Sequence, residues 1–121
     1  MIRPTIYATH TYENAPALDV LLVPGGAGTR ALGKVNGGDT SAETFINNRL
    51  GQLDYLLSVC TGSVILARSG VLDGKRATTN KGAWREVTGE VGTDKVIWVP
   101  TARWVVDGKI WTSSGVSAGE S

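Results

Sequence analysis

The chain has 121 residues, of which 41% are hydrophobic and 19% charged, the size and composition of one small globular domain rather than two. Twelve basic against eleven acidic residues leave a formal net charge of +1; with no Lys/Arg cluster able to track a phosphate backbone, this argues against nucleic acid as a partner. The longest apolar run is too short to span a bilayer, and the single cysteine cannot close an intrachain disulfide. With no charged-then-apolar leader at the start, a reducing, cytoplasmic setting is expected.

In chain order, "TIYATHTY" alternates loosely and places the only histidine, His10, on an early strand. "LDVLLV" (18–23) is a near-continuous apolar run closed by Pro24-Gly25-Gly26. It reads as a strand buried on both faces, the habit of parallel sheets. Residues 25–39 are glycine-rich and aperiodic, and are expected to form a long loop. Thr40 and Glu43 have capping-box spacing, and Phe45, Ile46, Leu50 and Leu53 recur at helical intervals, which predicts a helix over about 41–52. "YLLSV" (55–59) predicts a second buried strand. "TGSVILARS" predicts a helix ended by Gly70.

Strand, glycine loop, helix, strand, helix is the alternation of a doubly wound α/β sheet. Further on, the sequence predicts a short strand near 76–79, a weak helix near 83–88 and a strand at 96–99. In "RWVVDGKIWTS", Asp107-Gly108 between two β-rich runs predicts a hairpin near 103–113 with a two-residue turn. Counting outward from that turn sets Val106 opposite Lys109, Val105 opposite Ile110 and Trp104 opposite Trp111.

Cys60 falls between a strand and the first turn of a helix. A thiol there faces free helix N–H groups and the positive end of the helix dipole, which favour an anionic nucleophile. The tight turn also puts the backbone under strain of the kind seen at nucleophile elbows. Open α/β sheets place ligands beyond the carboxyl ends of their strands, and both Cys60 and Pro24-Gly25-Gly26 are expected there. A glycine N–H of that loop and the Thr61 N–H would then form an oxyanion-type donor pair facing the sulfur. On residue type alone, Cys60 reads equally as an inert buried thiol, since free cysteine is among the most buried residues.

The segments "LDVLLVPGGAGT", "SVCTGSVILARSGVLDGKRATT" and "WTSSGVSAG", in this order and spacing, resemble the ThiJ/PfpI superfamily, most closely its isonitrile hydratase-like branch in fungal form. The resemblance extends from about His10 onward. It implies a flavodoxin-like three-layer sandwich, a Cys nucleophile at an elbow, a small-molecule substrate, no cofactor and usually a homodimer. By the same resemblance Cys60 matches the nucleophile, Thr61 the residue implicated beside it, and Gly25, Gly26, Thr61 and Asn80 the oxyanion and substrate-binding positions. Isonitrile hydratases attack the terminal isonitrile carbon through this cysteine, and water then gives an N-substituted formamide. Other branches hydrate glyoxal-type substrates, remove glycation, act like peptidases or serve as ligand-binding domains of regulators.

Two departures stand out. Asn80 occupies the place where many relatives carry histidine after "ATT". The relatives' first strand, with its sulfur-binding Asp or Glu, and their C-terminal helix have no matching segment; Glu13 and Asp19 are out of position, so the chain is expected to be one partial domain. Three readings follow: a Cys-dependent enzyme, a ligand- or redox-sensing domain, and an inactive remnant. His10 is expected to be structural or exposed, and Ser113, Ser114 and Ser117 to cap a following helix. Trp84, Trp98, Trp104 and Trp111 are expected to pack. One Cys and one His far apart give no basis for a metal site.

Overall fold

A computed structural model describes residues 5–26, 40–90 and 93–115. The apolar runs become strands β1 (Val20–Val23), β2 (Tyr55–Val59), β3 (Arg76–Ala77), β4 (Ile97–Trp98), β5 (Trp104–Asp107) and β6 (Ile110–Ser113). Four of them form a sheet in the order β1-β2-β6-β5, and β3 and β4 form a second, parallel pair. β2 runs parallel to both neighbours, with Val23 beside Ser58 and Ser58 beside Thr112. Only the hairpin strand β5 is antiparallel. A mostly parallel sheet with helices is the expected flavodoxin-like α/β arrangement.

Helix α1 (Ser41–Arg49) continues as a 3-10 turn over Leu50–Gln52, so the helical rise spans the predicted stretch. Helix α2 (Gly62–Ser69) stops where Gly70 takes φ 88°, a left-handed conformation that costs glycine little. Its buried residues Val64, Ile65 and Leu66 meet Val23, Ile46, Leu56 and Ile110 in the core. α1 packs on α2, and α2 on β1 and β2. The 3-10 turn Lys81–Ala83 leads into helix α3 (Trp84–Thr88), whose Val87 joins the same core.

Five expectations about the fold are corrected. Residues 5–12 form no strand, and their side chains are exposed; Tyr12 rests instead against the Phe45 ring, centroids 5.0 Å apart. β1 is buried on one face only, since Val20 and Leu22 keep 49% and 54% of their surface. They share that face with Tyr55, Val59, Trp104, Val106 and Trp111, all exposed among the described residues. Trp104 and Trp111 therefore pack less than expected, whereas Trp84 and Trp98 meet edge to face at 6.2 Å.

The capping box does not form: among the described residues Thr40 makes no side-chain cap, and Glu43 is buried instead, its Oε2 without a hydrogen-bond partner among them. The hairpin turn lies one residue later than read. Asp107 pairs with Ile110, Val106 with Trp111 and Trp104 with Ser113, and Gly108, at φ 62°, is the first central residue, as a Gly-X turn requires. Asp107 stays in the strand because its carboxylate accepts the Arg76 N–H at 2.9 Å, joining the hairpin to β3.

Candidate active site at the strand-to-helix turn

Cys60 follows the last residue of β2 and precedes α2 by one residue. Its φ of 59° makes it the only non-glycine residue with positive φ among those described. A side chain with a Cβ is strained there. The strain is held by contacts at both ends of the residue. The Cys60 N–H donates to the Ser113 carbonyl at 3.0 Å, extending the β2–β6 ladder one step past the strand. The Cys60 carbonyl accepts the hydroxyls of Ser63 at 3.4 Å and Thr79 at 3.2 Å. The thiol is half-buried and free of disulfide.

Glycines let three backbone segments close around this turn. A Cβ on Gly62 would lie 2.3 Å from the Val23 carbonyl oxygen, so α2 can start only this close to the end of β1 with glycine there. A Cβ on Gly25 would lie 2.7 Å from the Thr61 nitrogen and 2.9 Å from the Cys60 Cβ. Gly115, at φ 80°, approaches from the far side, where a Cβ would meet that of Cys60 at 2.6 Å. Cys60 is thus clasped between the loop after β1 and the segment after β6.

Gly26 lies in the loop beyond β1, beside the turn that follows the neighbouring β2. Its N–H donates to Thr61 Oγ1 at 3.0 Å, and that hydroxyl donates back to the Gly26 carbonyl at 3.3 Å. The donor expected to face the sulfur therefore has the Thr61 hydroxyl as its partner. Of the two loop glycines, Gly25 is the one that closely approaches Cys60. Thr61 itself is buried, its side chain tying α2 to the loop.

Asn80 also has local work. Its Oδ1 accepts the Ala83 N–H at 3.1 Å, capping the 3-10 turn, and its Nδ2 donates to the Ser114 carbonyl at 3.2 Å. It thereby holds the strip carrying Gly115 against Cys60. Ser113 donates to the Ser58 carbonyl at 3.3 Å, and Ser114 N–H bonds the Arg103 carbonyl at 2.7 Å. The Ser113 side chain and the Ser114 backbone thus tie neighbouring segments together, and Ser117 lies outside the described residues. His10 is exposed, with Thr9 Oγ1 2.9 Å from its Nδ1. The close approaches of Gly62 and Gly115 and the Thr79 bond were not singled out from sequence. Each joins residues distant in the chain, and no spacing rule reports them.

Near Asn80, burial pushes the Lys81 ammonium below its ordinary pKa. The residue is exposed overall, but its Nζ is tucked between Thr78 Oγ1 at 3.0 Å, the Ala102 carbonyl at 2.7 Å and the Trp84 ring. Among the described residues no group of three or more His, Cys, Asp or Glu could hold a metal ion, and no helix is long and apolar enough to cross a membrane.

Comparison with known proteins matches this arrangement. The sequence pattern of the DJ-1/PfpI family fits residues 4–121. An isonitrile hydratase of Pseudomonas putida is 40% identical over 111 residues, which is 92% of this chain and 45% of that protein. The crystal structure of a ThiJ/PfpI family protein from Pseudomonas syringae superposes with a TM-score of 0.68 at 32% identity, covering 94% of this chain and 44% of that one. Drosophila melanogaster DJ-1beta shares the fold, with a TM-score of 0.64 at 22% identity over 89% of this chain and 52% of its own. The chain thus spans under half the length of the hydratase and of the Pseudomonas syringae protein. With its family pattern matched from residue 4 to residue 121 and a left-handed cysteine closing the central strand, this chain belongs to the DJ-1/PfpI family.

Proposed function

We propose that the protein is a Cys60-dependent hydratase acting on a small electrophile, with hydration of an isonitrile to an N-substituted formamide as its reaction. The observation that carries this reading is the left-handed Cys60 at the carboxyl end of a parallel strand, directly before a helix N-terminus. The 40% identity to an isonitrile hydratase supports the choice of substrate.

In this reading the sulfur attacks the terminal isonitrile carbon, forming a C–S bond, and that carbon takes a proton to give a thioformimidate. Water adds to the same carbon. The C–S bond then breaks with its electron pair returning to sulfur, one hydrogen of the water stays on nitrogen, the other leaves the hydroxyl and restores the thiol proton given to carbon, and the formamide leaves. The sulfur's residue stands one residue before the N-terminus of α2, whose dipole favours negative charge developing there during the reaction. Thr61 fixes the loop of Gly25 and Gly26 beside the reacting carbon, and Asn80 fixes the opposite wall through Ser114. The reading includes a cytoplasmic homodimer needing no cofactor; the apolar sheet face supports association, and the unpaired thiol a reducing location.

The test is formation of N-substituted formamide from a simple alkyl isonitrile by the purified protein and by Cys60→Ser. Product made by the wild type and absent with Cys60→Ser is the expected result. Formamide formed equally by both would overturn the reading. Cys60-dependent consumption of a small dicarbonyl, without formamide, would assign the site to glyoxal-type hydration or deglycation instead. Stoichiometric modification of Cys60 without turnover would make it a sensor, and no reaction at all would make it an inactive remnant.

A further inference from the structure

We infer that Thr79 is a positioning residue for Cys60, holding the nucleophile's peptide in its left-handed conformation from outside the turn. At φ 59° the Cys60 carbonyl leaves the helical ladder. The first backbone bond at the head of α2 runs from the Val64 N–H to Thr61, and among the described residues the Cys60 carbonyl receives hydroxyls only. Ser63 is local and its 3.4 Å bond long. Thr79 reaches in from beyond the end of β3, is fully buried, and bonds at 3.2 Å.

The backbone leading into Thr79 is itself anchored. The adjacent Thr78 N–H donates to Thr112 Oγ1 at 2.9 Å, and Thr112 precedes Ser113, whose carbonyl takes the Cys60 N–H. A closed circuit therefore runs from Cys60 through Thr79, Thr78, Thr112 and Ser113 back to Cys60. Both ends of the strained residue are gripped by neighbours that are bonded to each other. Without the Thr79 hydroxyl, the Cys60 carbonyl loses its stronger partner, and the residue relaxes toward ordinary backbone geometry.

The consequence for reactivity rests on Cys60 being the nucleophile; the geometric role does not. Two readouts separate them. The backbone carbonyl shift and HN–Hα coupling of Cys60, measured by NMR, report its conformation, and the rate of Cys60 alkylation, relative to the same chain unfolded in urea, reports its reactivity. Thr79→Val should move both NMR parameters and lower relative alkylation about five-fold, the scale of one buried hydrogen bond. Thr79→Ser, which keeps the hydroxyl, should restore them. Thr78→Val is the control: Thr78 is equally buried, and its hydroxyl bonds Val99 rather than Cys60.

Unchanged NMR parameters in Thr79→Val, or equal displacement by Thr78→Val, would overturn the proposal. If Thr79→Val does not fold, a slowly exchanging Thr79 hydroxyl proton in the wild type supports the bond, and a rapidly exchanging one refutes it. A wild type alkylated no faster than its unfolded form would sink the nucleophile reading alone, with the NMR comparison still deciding the role of Thr79.

Discussion

Replacing Gly62 by alanine separates local propensity from tertiary packing. Alanine in a helix gains up to about 1 kcal/mol over glycine, so a reading confined to α2 expects stabilisation. The structure puts the new methyl 2.3 Å from the Val23 carbonyl oxygen and 3.0 Å from that of Pro24, both backbone atoms. Relieving the overlap requires α2 to move away from the end of β1. Overpacking of this kind costs about 1–3 kcal/mol, and the severity of the contact argues for the upper part of that range. Net of the propensity gain, Gly62→Ala should lose about 1–2 kcal/mol, or about 4–8 °C in Tm. The assay is equilibrium urea unfolding followed by circular dichroism, with Gly51→Ala as reference, because a Cβ at Gly51 meets nothing within 4 Å. Gly51→Ala should be neutral or slightly stabilising. A Gly62→Ala chain as stable as Gly51→Ala would show that α2 has slack against β1, and the argument for a glycine-enforced approach would fail.

Gly115→Ala, with φ 80° and a Cβ 2.6 Å from that of Cys60, should disturb the thiol at its source: Cys60 alkylation should change several-fold, on the scale of about 1 kcal/mol or more of strain, and an unchanged rate would show the clasp to be loose. The exposed apolar face should drive self-association; light scattering should show Leu22→Lys and Trp111→Lys shifting the protein toward monomer, while a wild type monomeric at all concentrations would dismiss the face as an interface. For Lys81 the folded-state pKa is lowered, so the unfolded chain binds more protons and stability rises with pH as the ordinary value of 10.5 is approached from below. Lys81→Met should lack that rise, and parallel stability curves for the two proteins would contradict it.

The parts of this fold that sequence reveals are those decided by neighbours in the chain. β2 spans the five residues of "YLLSV", and α2 ends at Gly70, because an apolar run and a left-handed glycine act locally. The turn at Cys60 was legible for the same reason. The hairpin was found but set one residue early: Asp-Gly and Gly-Lys are both acceptable turn pairs, and Asp107 is kept in the strand by Arg76, thirty-one positions away. Glu43 has cap spacing, yet it is buried, an outcome for which the neighbouring residues offer no local cue. Gly26 is expected at the oxyanion site by resemblance, and its N–H bonds the Thr61 hydroxyl across the loop, a pairing that no local spacing reports.

The bond from the Cys60 N–H to the Ser113 carbonyl sets an order of events during synthesis. The elbow's strand is complete early, but its partner β6 is made only afterwards. At about 5–20 residues per second, several seconds separate translation of Cys60 from that of Ser113. Until β6 arrives, the circuit that enforces the left-handed turn does not exist, and Cys60 is an ordinary flexible cysteine on a growing chain. Long-range pairings of this kind are also the slow step in forming a parallel sheet. The left-handed geometry of Cys60 is therefore a product of completed folding, and it arrives together with the segment after β6 that closes the far wall of the turn.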